Sequence, residues 1–433
     1  MVSLKGTLQV PGDKSISHRA LIFAALSRGV CKVYGLSPAF DCISSADCLK
    51  QLGLKFERRS PSGNGLRETV FLVTSPGLDG LHRSDAPLFA GNSGTTIRLI
   101  SGLVAGHPFK TVFDGDDSLR ARPMSRVLRH LGEMGASIHY LQRENYAPFE
   151  IEGAMLTGKS FDLDVASAQV QTAILLAGLQ ADGTTRVKLP TAVRDHTARM
   201  FKHIGVPMEQ VSENEISVKR LDEPIEPFTV NIPADISSAA FFMVAAGCLP
   251  GSNVLLNNVV INPGRDLVIS VLQDMGADIE VGNQRERSGE LIADISVRGD
   301  RTLGSVSIDG TRLAAGIDEI PIIAIAAAMS HGTFKLTDAS ELRVKESDRL
   351  AAIVGNLRAC GAAIEESDDG FVIEGKGGLK GGAEWKSYDD HRMAMSGIIA
   401  GLLAEQIVRV DNESCIAVSY PDFINDLRRL TAV

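Results

Sequence analysis

The chain has 433 residues, 44% of them hydrophobic and 22% charged, with a formal net charge of −9. That length exceeds one ordinary core and predicts two domains. The acidic balance excludes a general nucleic-acid binder, although it leaves room for a local basic cleft. Cys31, Cys42, Cys48, Cys248, Cys360 and Cys415 form no CxxC or metal-ligand spacing and are too sparse for a disulfide scaffold, which points to a reducing, cytoplasmic compartment. No charged-then-apolar leader opens the chain. The longest uncharged stretch, 236–264, is broken by Pro250, Gly251 and several Asn, so neither a secretory signal nor a membrane span is expected.

In chain order, MVSLKGTLQV reads as a strand, and one unit then recurs: a helix rich in small residues, a turn, and a β-branched strand. The copies are SISHRALIFAALSRGVCKVYGL, SGTTIRLISGLVAGHPFKTVFDG, AQVQTAILLAGLQADGTTRVKL, ISSAAFFMVAAGCLPGSNVLLNNV, IPIIAIAAAMSHGTFKLTDA and RMAMSGIIAGLLAEQIVRVDN. Their turns carry Gly29, Gly106, Gly183, Gly251 and Gly332, with Glu405 in the sixth. A second helix follows each of the first five and ends at Gly53, Gly135, Gly205, Gly276 or Gly361, before an alternating strand. A glycine there suits a left-handed helix C-cap. FINDLRRL is the sixth helix of this kind.

Each repeat therefore reads strand–helix–strand–helix–strand–strand. The fold class is α/β (α+β), with three repeats in each of two domains: 13–229, and 1–12 with 230–433. The proline-rich LDEPIEPFTVNIP marks one crossing between them and the segment near Pro11–Asp13 the other. The N-terminal strand is expected to close the last repeat.

The unusual residues cluster where the repeat helices begin: GDKSISHR, GNSGTTIR, SAQVQT, ADISS, GIDEIP and YDDHRM. A helix N-terminus carries unpaired N–H groups and partial positive charge, so it favours anions. N-capping accounts for the Asp and Ser of ADISS. It does not account for Lys14, Arg19, Arg98, His391 and Arg392, because cations there oppose the dipole unless an anionic ligand lies between them. Further cations follow strands: Arg120 and Arg122 in DGDDSLRARPM, Arg194 in TAVRDHT, Lys345 and Arg349 in ELRVKESDR. Glu346, between the last two, is either a salt-bridge partner or a proton-transfer group. No P-loop, GxGxxG, HExxH or GxSxG occurs, so neither metal nor organic cofactor is expected.

These motifs, from PGDKSISHRAL through GNSGTTIRL, RARPM, SAQVQTAILLAGL and RVKESDRL to DDHRMAM and SYPDF, resemble the enolpyruvyl transferase family over essentially the whole chain. The resemblance implies two domains of three βαβαββ units, inside-out and barrel-like, with helix N-termini facing an interdomain cleft. It further implies transfer of enolpyruvate from phosphoenolpyruvate to the 5-hydroxyl of shikimate 3-phosphate, with release of phosphate through a tetrahedral intermediate. The first domain would bind mainly shikimate 3-phosphate. The second would contribute phosphoenolpyruvate-binding and proton-transfer residues.

By the same resemblance, Lys14, Ser15, Arg19, Ser167, Ala168, Gln169, Arg194, Asp318 and Lys345 hold shikimate 3-phosphate. Lys14, Asn92, Gly94, Arg122, Gln169, Arg349 and Arg392 hold phosphoenolpyruvate. Lys14, Asp318, Glu346 and His391 are the catalytic candidates, with Asp318 on the target hydroxyl and Glu346 at the enol methylene. Glyphosate is implied as an inhibitor at the phosphoenolpyruvate site, and the protein as a monomer without nucleic-acid or membrane partners. Three positions depart from other members: Ala168 where some have a second Ser, Glu341 near a position where some have Asn, and Val418 where some have Lys. The branch that uses UDP-N-acetylglucosamine usually carries a Cys before its ARP motif, and no Cys lies between Cys48 and Cys248 here. A non-catalytic binder of anionic sugars is the other alternative, and Asp318 and Glu346 among the cations argue against it.

Overall fold

In the computed structural model, which describes residues 2–60 and 69–431, five repeats each form a four-stranded sheet of the same order. The second repeat shows the pattern. Leu88–Phe89 runs parallel to Lys110–Asp114, which is antiparallel to Phe149–Glu152, itself antiparallel to Ser137–Tyr140. The helix Gly94–Val104 connects the parallel pair, as a parallel connection requires, and a short loop joins the antiparallel pair. The glycines ending the second helices, Gly53, Gly135, Gly205, Gly276 and Gly361, all have positive φ, so each helix stops where the sequence places its cap. No sheet among the described residues closes into a barrel.

The chain divides into two units. One, the N-terminal unit, is Gly12–Ile232 with Arg287–Glu290. The other, the C-terminal unit, is Met1–Pro11, Pro233–Glu286 and Leu291–Val433.

One expectation is corrected. The strand Lys5–Leu8 does not close the last repeat; it pairs in parallel with Asn253–Val260 in the fourth repeat's sheet. The reason is an exchange of edge strands. Thr229–Asn231, which precedes the fourth repeat's helix in sequence, pairs with Arg28–Tyr34 in the first repeat's sheet. The fourth sheet is thereby left with an open edge, and Lys5–Leu8 occupies it. Among the described residues the sixth repeat keeps only the parallel pair Glu384–Trp385 and Arg409–Val410, followed by the helix Phe423–Thr431.

Within the C-terminal unit the helices Ile236–Cys248, Ile320–Met329 and His391–Leu403 pack on one another. The first two are buried over almost their whole circumference, which matches sequences apolar on every face. Within the N-terminal unit, Gly94–Val104 lies against Ala168–Gly178. A Cβ at Gly102 would fall 2.1 Å from the Ala173 carbonyl oxygen, so this approach requires glycine. These packings place the starts of the first three repeat helices in one unit and of the last three in the other.

Candidate active site

In the N-terminal unit, Lys14 opens the helix Lys14–Phe23, capped by Asp13, whose carboxylate accepts from Ile16 N at 2.9 Å. Lys14 Nζ donates to Asp41 Oδ2 at 2.8 Å. Arg19, one turn further on and 3% exposed, is held by three helices. Its Nε donates to Thr197 Oγ1 at 2.8 Å, Nη2 to Thr172 Oγ1 at 3.1 Å and Nη1 to the Ser15 carbonyl at 3.0 Å. Ser167 caps the helix Ala168–Gly178, and Ser167, Ala168 and Gln169 form its half-buried start. Gln169 ties this helix to the second repeat: Oε1 accepts from Arg98 Nη1 at 2.8 Å, and Nε2 donates to Thr95 Oγ1 at 2.9 Å. Gly94 opens that helix behind the cap Ser93. Arg122 Nη2 donates to Asn92 Oδ1 at 2.6 Å and to Ser118 Oγ at 3.1 Å, and Asn92 Nδ2 donates to Asp116 Oδ2 at 3.0 Å. Arg194 is half-buried and lies two residues before the helix His196–Ile204 that carries Thr197. His18 adds no charge: burial first, then Lys14 and Arg19 beside it, hold its pKa well below the ordinary histidine value.

In the C-terminal unit, Arg349 is the organising residue. It opens the helix Arg349–Ala359 rather than sitting on a loop, and is 1% exposed. Its Nε donates to Asp390 Oδ2 at 2.7 Å, Nη2 to Glu346 Oε2 at 2.7 Å and Nη1 to Asp318 Oδ1 at 3.3 Å. Burial opposes its charge, but Asp390, Glu346 and Asp318 more than offset this, and its pKa is raised. Burial likewise opposes the Asp390 carboxylate, and Arg349 outweighs it, so the Asp390 pKa is lowered.

Asp390 also caps the helix His391–Leu403, which begins with His391 and Arg392. Arg392 Nη1 donates to the Asp318 carbonyl at 3.0 Å and lies 3.5 Å from Glu319 Oε1, and Lys345 Nζ lies 3.5 Å from Asp318 Oδ1. Asp318 and Glu346 keep 17% and 23% of their side chains exposed, whereas Asp390 is fully buried. Asp390 is therefore an anchor, and Asp318 and Glu346 are the carboxylates a ligand can reach. Glu341 is exposed and Val418 half-buried, each on a short 3-10 turn.

The structure thus brings the expected residues together as two clusters. In one, Lys14, Arg19, Arg98 and Arg122 lie among Asp13, Asp41 and Asp116 and neutral partners such as Thr172, Thr197 and Gln169; in the other, Lys345, Arg349 and Arg392 are matched by Asp318, Glu319, Glu346 and Asp390. Sequence reading missed the partners: Asp41, Thr172, Thr197, Glu319 and Asp390, and the buried Arg265, which donates to Asp235 Oδ1 at 3.1 Å. Most of these lie far from their partners in sequence, and although Thr172, Thr197, Glu319 and Asp390 fall inside SAQVQT, TAVRDHT, GIDEIP and DDHRM, none of those motifs names the cation that its residue meets. Among the described residues no cluster of His, Cys, Asp and Glu could hold a metal, and no helix is long and apolar enough to cross a membrane.

A model of the EPSP synthase (3-phosphoshikimate 1-carboxyvinyltransferase) family matches residues 1–427. The 3-phosphoshikimate 1-carboxyvinyltransferase of Geobacter sulfurreducens is 44% identical over 421 residues, 97% of this chain and 95% of that protein. The protein of the same name from Synechococcus sp. is 45% identical over 432 residues, 99% of this chain and 97% of that protein. A solved EPSP synthase from Acinetobacter baumannii superposes with a TM-score of 0.87 at 38% identity, covering 99% of this chain and 96% of that one. The enolpyruvyl transferase NikO from Streptomyces tendae, at 18% identity and TM-score 0.78 over 99% of this chain and 95% of that one, shares the fold.

Proposed function

Because the chain belongs to the EPSP synthase family, and so transfers the enolpyruvyl group of phosphoenolpyruvate to shikimate 3-phosphate, we propose a division of labour between its two clusters. The N-terminal unit binds: Lys14, Ser15, Arg19, Ser167, Ala168, Gln169 and Arg194 take the acceptor and its phosphate. Lys14, Asn92, Gly94, Arg122 and Gln169 meet phosphoenolpyruvate. The dipoles of three helix starts and the forked donors of arginine favour these anions over water. The C-terminal unit carries the chemistry. Arg349 and Arg392 hold phosphoenolpyruvate, and Lys345 and Asp318 hold the acceptor.

The reaction on this reading is addition and elimination. Asp318 takes the proton of the 5-hydroxyl as its oxygen bonds to C2 of the enol. Glu346 delivers a proton to C3, giving the tetrahedral ketal. Removal of a C3 proton by Glu346 re-forms the double bond and expels phosphate, with His391 and Lys345 beside the charge that develops. The observation that carries the reading is that Arg349 holds both partly exposed carboxylates, Asp318 and Glu346, while Lys345 and Arg392 stand beside Asp318. A passive anion binder would lose affinity by placing two carboxylates there.

The six free cysteines support a cytoplasmic setting, and we take the protein as a monomer that glyphosate inhibits at the phosphoenolpyruvate site. Phosphate release from the two substrates, with and without EDTA, tests the reading. Turnover should persist in EDTA. Loss of turnover in EDTA, or preference for UDP-N-acetylglucosamine as acceptor, would overturn it.

A further inference from the structure

Glu290 lies in no motif and opens a strand otherwise belonging to the C-terminal unit, yet its carboxylate is 1% exposed among residues of the N-terminal unit. The chain leaves the C-terminal unit after Glu286, contributes Arg287–Glu290 to the N-terminal unit, and returns at Leu291. Ser288 and Gly289 both have positive φ, the geometry of a two-residue hairpin turn. A Cβ on Gly289 would lie 3.0 Å from the Arg199 carbonyl oxygen and 3.3 Å from His203 Cβ, so the turn sits directly on the helix His196–Ile204.

Hydrogen bonds hold it there. Asn231 N donates to Ser288 Oγ at 2.9 Å, Arg199 Nη1 to the Gly289 carbonyl at 3.3 Å, and His196 Nδ1 to Glu290 Oε1 at 3.1 Å. His196 is fully buried, and its Nε2 has no hydrogen-bond partner among the described residues. This arrangement needs the proton on Nδ1. Asp195, at the N-cap position of the same helix, does not cap it; its carboxylate accepts from Arg199 Nε at 2.6 Å instead. Glu290 is thus one of the groups that hold the start of this helix, alongside the contacts of Thr197.

What the start carries is the point. Thr197, next to His196, accepts from Arg19 Nε at 2.8 Å and shares a 2.6 Å hydrogen bond with Thr172. Arg194 lies two residues before His196. We infer that Glu290 is a positioning residue for shikimate 3-phosphate, acting through His196 to fix Thr197 and Arg194, and through Thr197 the guanidinium of Arg19. This rests on the reading that Arg19 and Arg194 bind the acceptor's phosphate.

The test compares Glu290→Ala, Glu290→Asp and Glu290→Gln in the full-length enzyme by steady-state kinetics, varying each substrate in turn, alongside melting temperatures. Gln keeps an acceptor for His196 Nδ1 in the same place, whereas Asp withdraws it by one methylene and Ala removes it. The KM for shikimate 3-phosphate should rise roughly tenfold or more in Ala and Asp and stay within about threefold in Gln, with kcat and the KM for phosphoenolpyruvate little changed. If Ala fails to fold, the Asp and Gln pair carries the comparison alone. Ala or Asp variants that melt earlier but keep the native KM for shikimate 3-phosphate would overturn the inference and leave a purely structural role. Arg19→Lys and Arg194→Lys serve as controls. If neither raises that KM, the phosphate-site reading fails and the inference fails with it. If they raise it while the Glu290 variants do not, the inference alone fails.

Discussion

Gly94→Ala is the substitution whose effect the structure constrains most tightly. A Cβ at this position would stand 2.5 Å from Arg98 Nη1 and 3.6 Å from Arg122 Nη1. The second distance is an ordinary contact. The first is not, and the Arg98 guanidinium must withdraw by about 1 Å to reach van der Waals separation. That guanidinium donates to Gln169 Oε1 at 2.8 Å and to the Gly94 carbonyl at 3.3 Å, so its displacement weakens the tie between the second and third repeat helices. A weakened charged hydrogen bond costs on the order of 1 kcal/mol, about a fivefold change in an equilibrium constant. The protein should fold, because the obstructing atom ends a flexible side chain rather than belonging to the backbone. The KM for phosphoenolpyruvate should rise by roughly that fivefold factor. The methyl also enters the space proposed for glyphosate, whose backbone is longer, so its inhibition constant should rise further than the KM. Initial rates at several concentrations of each ligand, on native and variant enzyme, give both numbers. Equal inhibition of the two proteins would refute the reasoning, as would a variant structure with Arg98 unmoved.

Two further substitutions probe the clusters separately. Lys14→Met removes a cation proposed to touch both substrates and leaves Asp41 without its 2.8 Å partner, so kcat/KM should fall by the equivalent of about 1.5–3 kcal/mol, with kcat and KM both affected; a variant within twofold of native would exclude Lys14 from the site. Asp390→Asn should destabilise by about 3–5 kcal/mol at pH 7, because it leaves the buried Arg349 short of its main partner. The Asp390 pKa is lowered in the folded state, so its contribution is full above the unfolded value near 3.9 and is lost as pH falls through the lower folded value. The gap in melting temperature between native and variant should therefore narrow below about pH 4, and a gap independent of pH would contradict the linkage.

The sequence and the structure differ in a way that follows from distance along the chain. The helix starts were legible because each is one contiguous motif: GDKSISHR contains the Asp13 cap, Lys14 and Arg19 within a single turn and a half, and DDHRM contains the Asp390 cap with His391 and Arg392. The left-handed caps were legible for the same reason. The partners that orient those cations were not. Asp41 lies 27 residues from Lys14, Asp390 lies 41 from Arg349, and Thr197 lies 178 from Arg19. No local window joins such pairs; only the packing of one repeat on the next does. The misplaced N-terminal strand has the same cause. Parallel edge strands carry no turn signal naming their neighbour, and the exchange of Lys5–Leu8 and Thr229–Asn231 becomes visible only in the register of their pairing.

The central claim, that the C-terminal cluster performs proton transfer while the N-terminal cluster binds, turns on Glu346. Its Oε2 accepts from Arg349 Nη2 at 2.7 Å, and a glutamine amide can keep that bond. The decisive measurement is therefore kcat of Glu346→Gln, taken on the same preparation as its affinity for shikimate 3-phosphate and its melting temperature. The account predicts a kcat lower by roughly 10²–10⁴, with affinity and melting temperature near native. A kcat within a few-fold of native, accompanied by lost affinity or stability, would show that Glu346 only holds Arg349 in place.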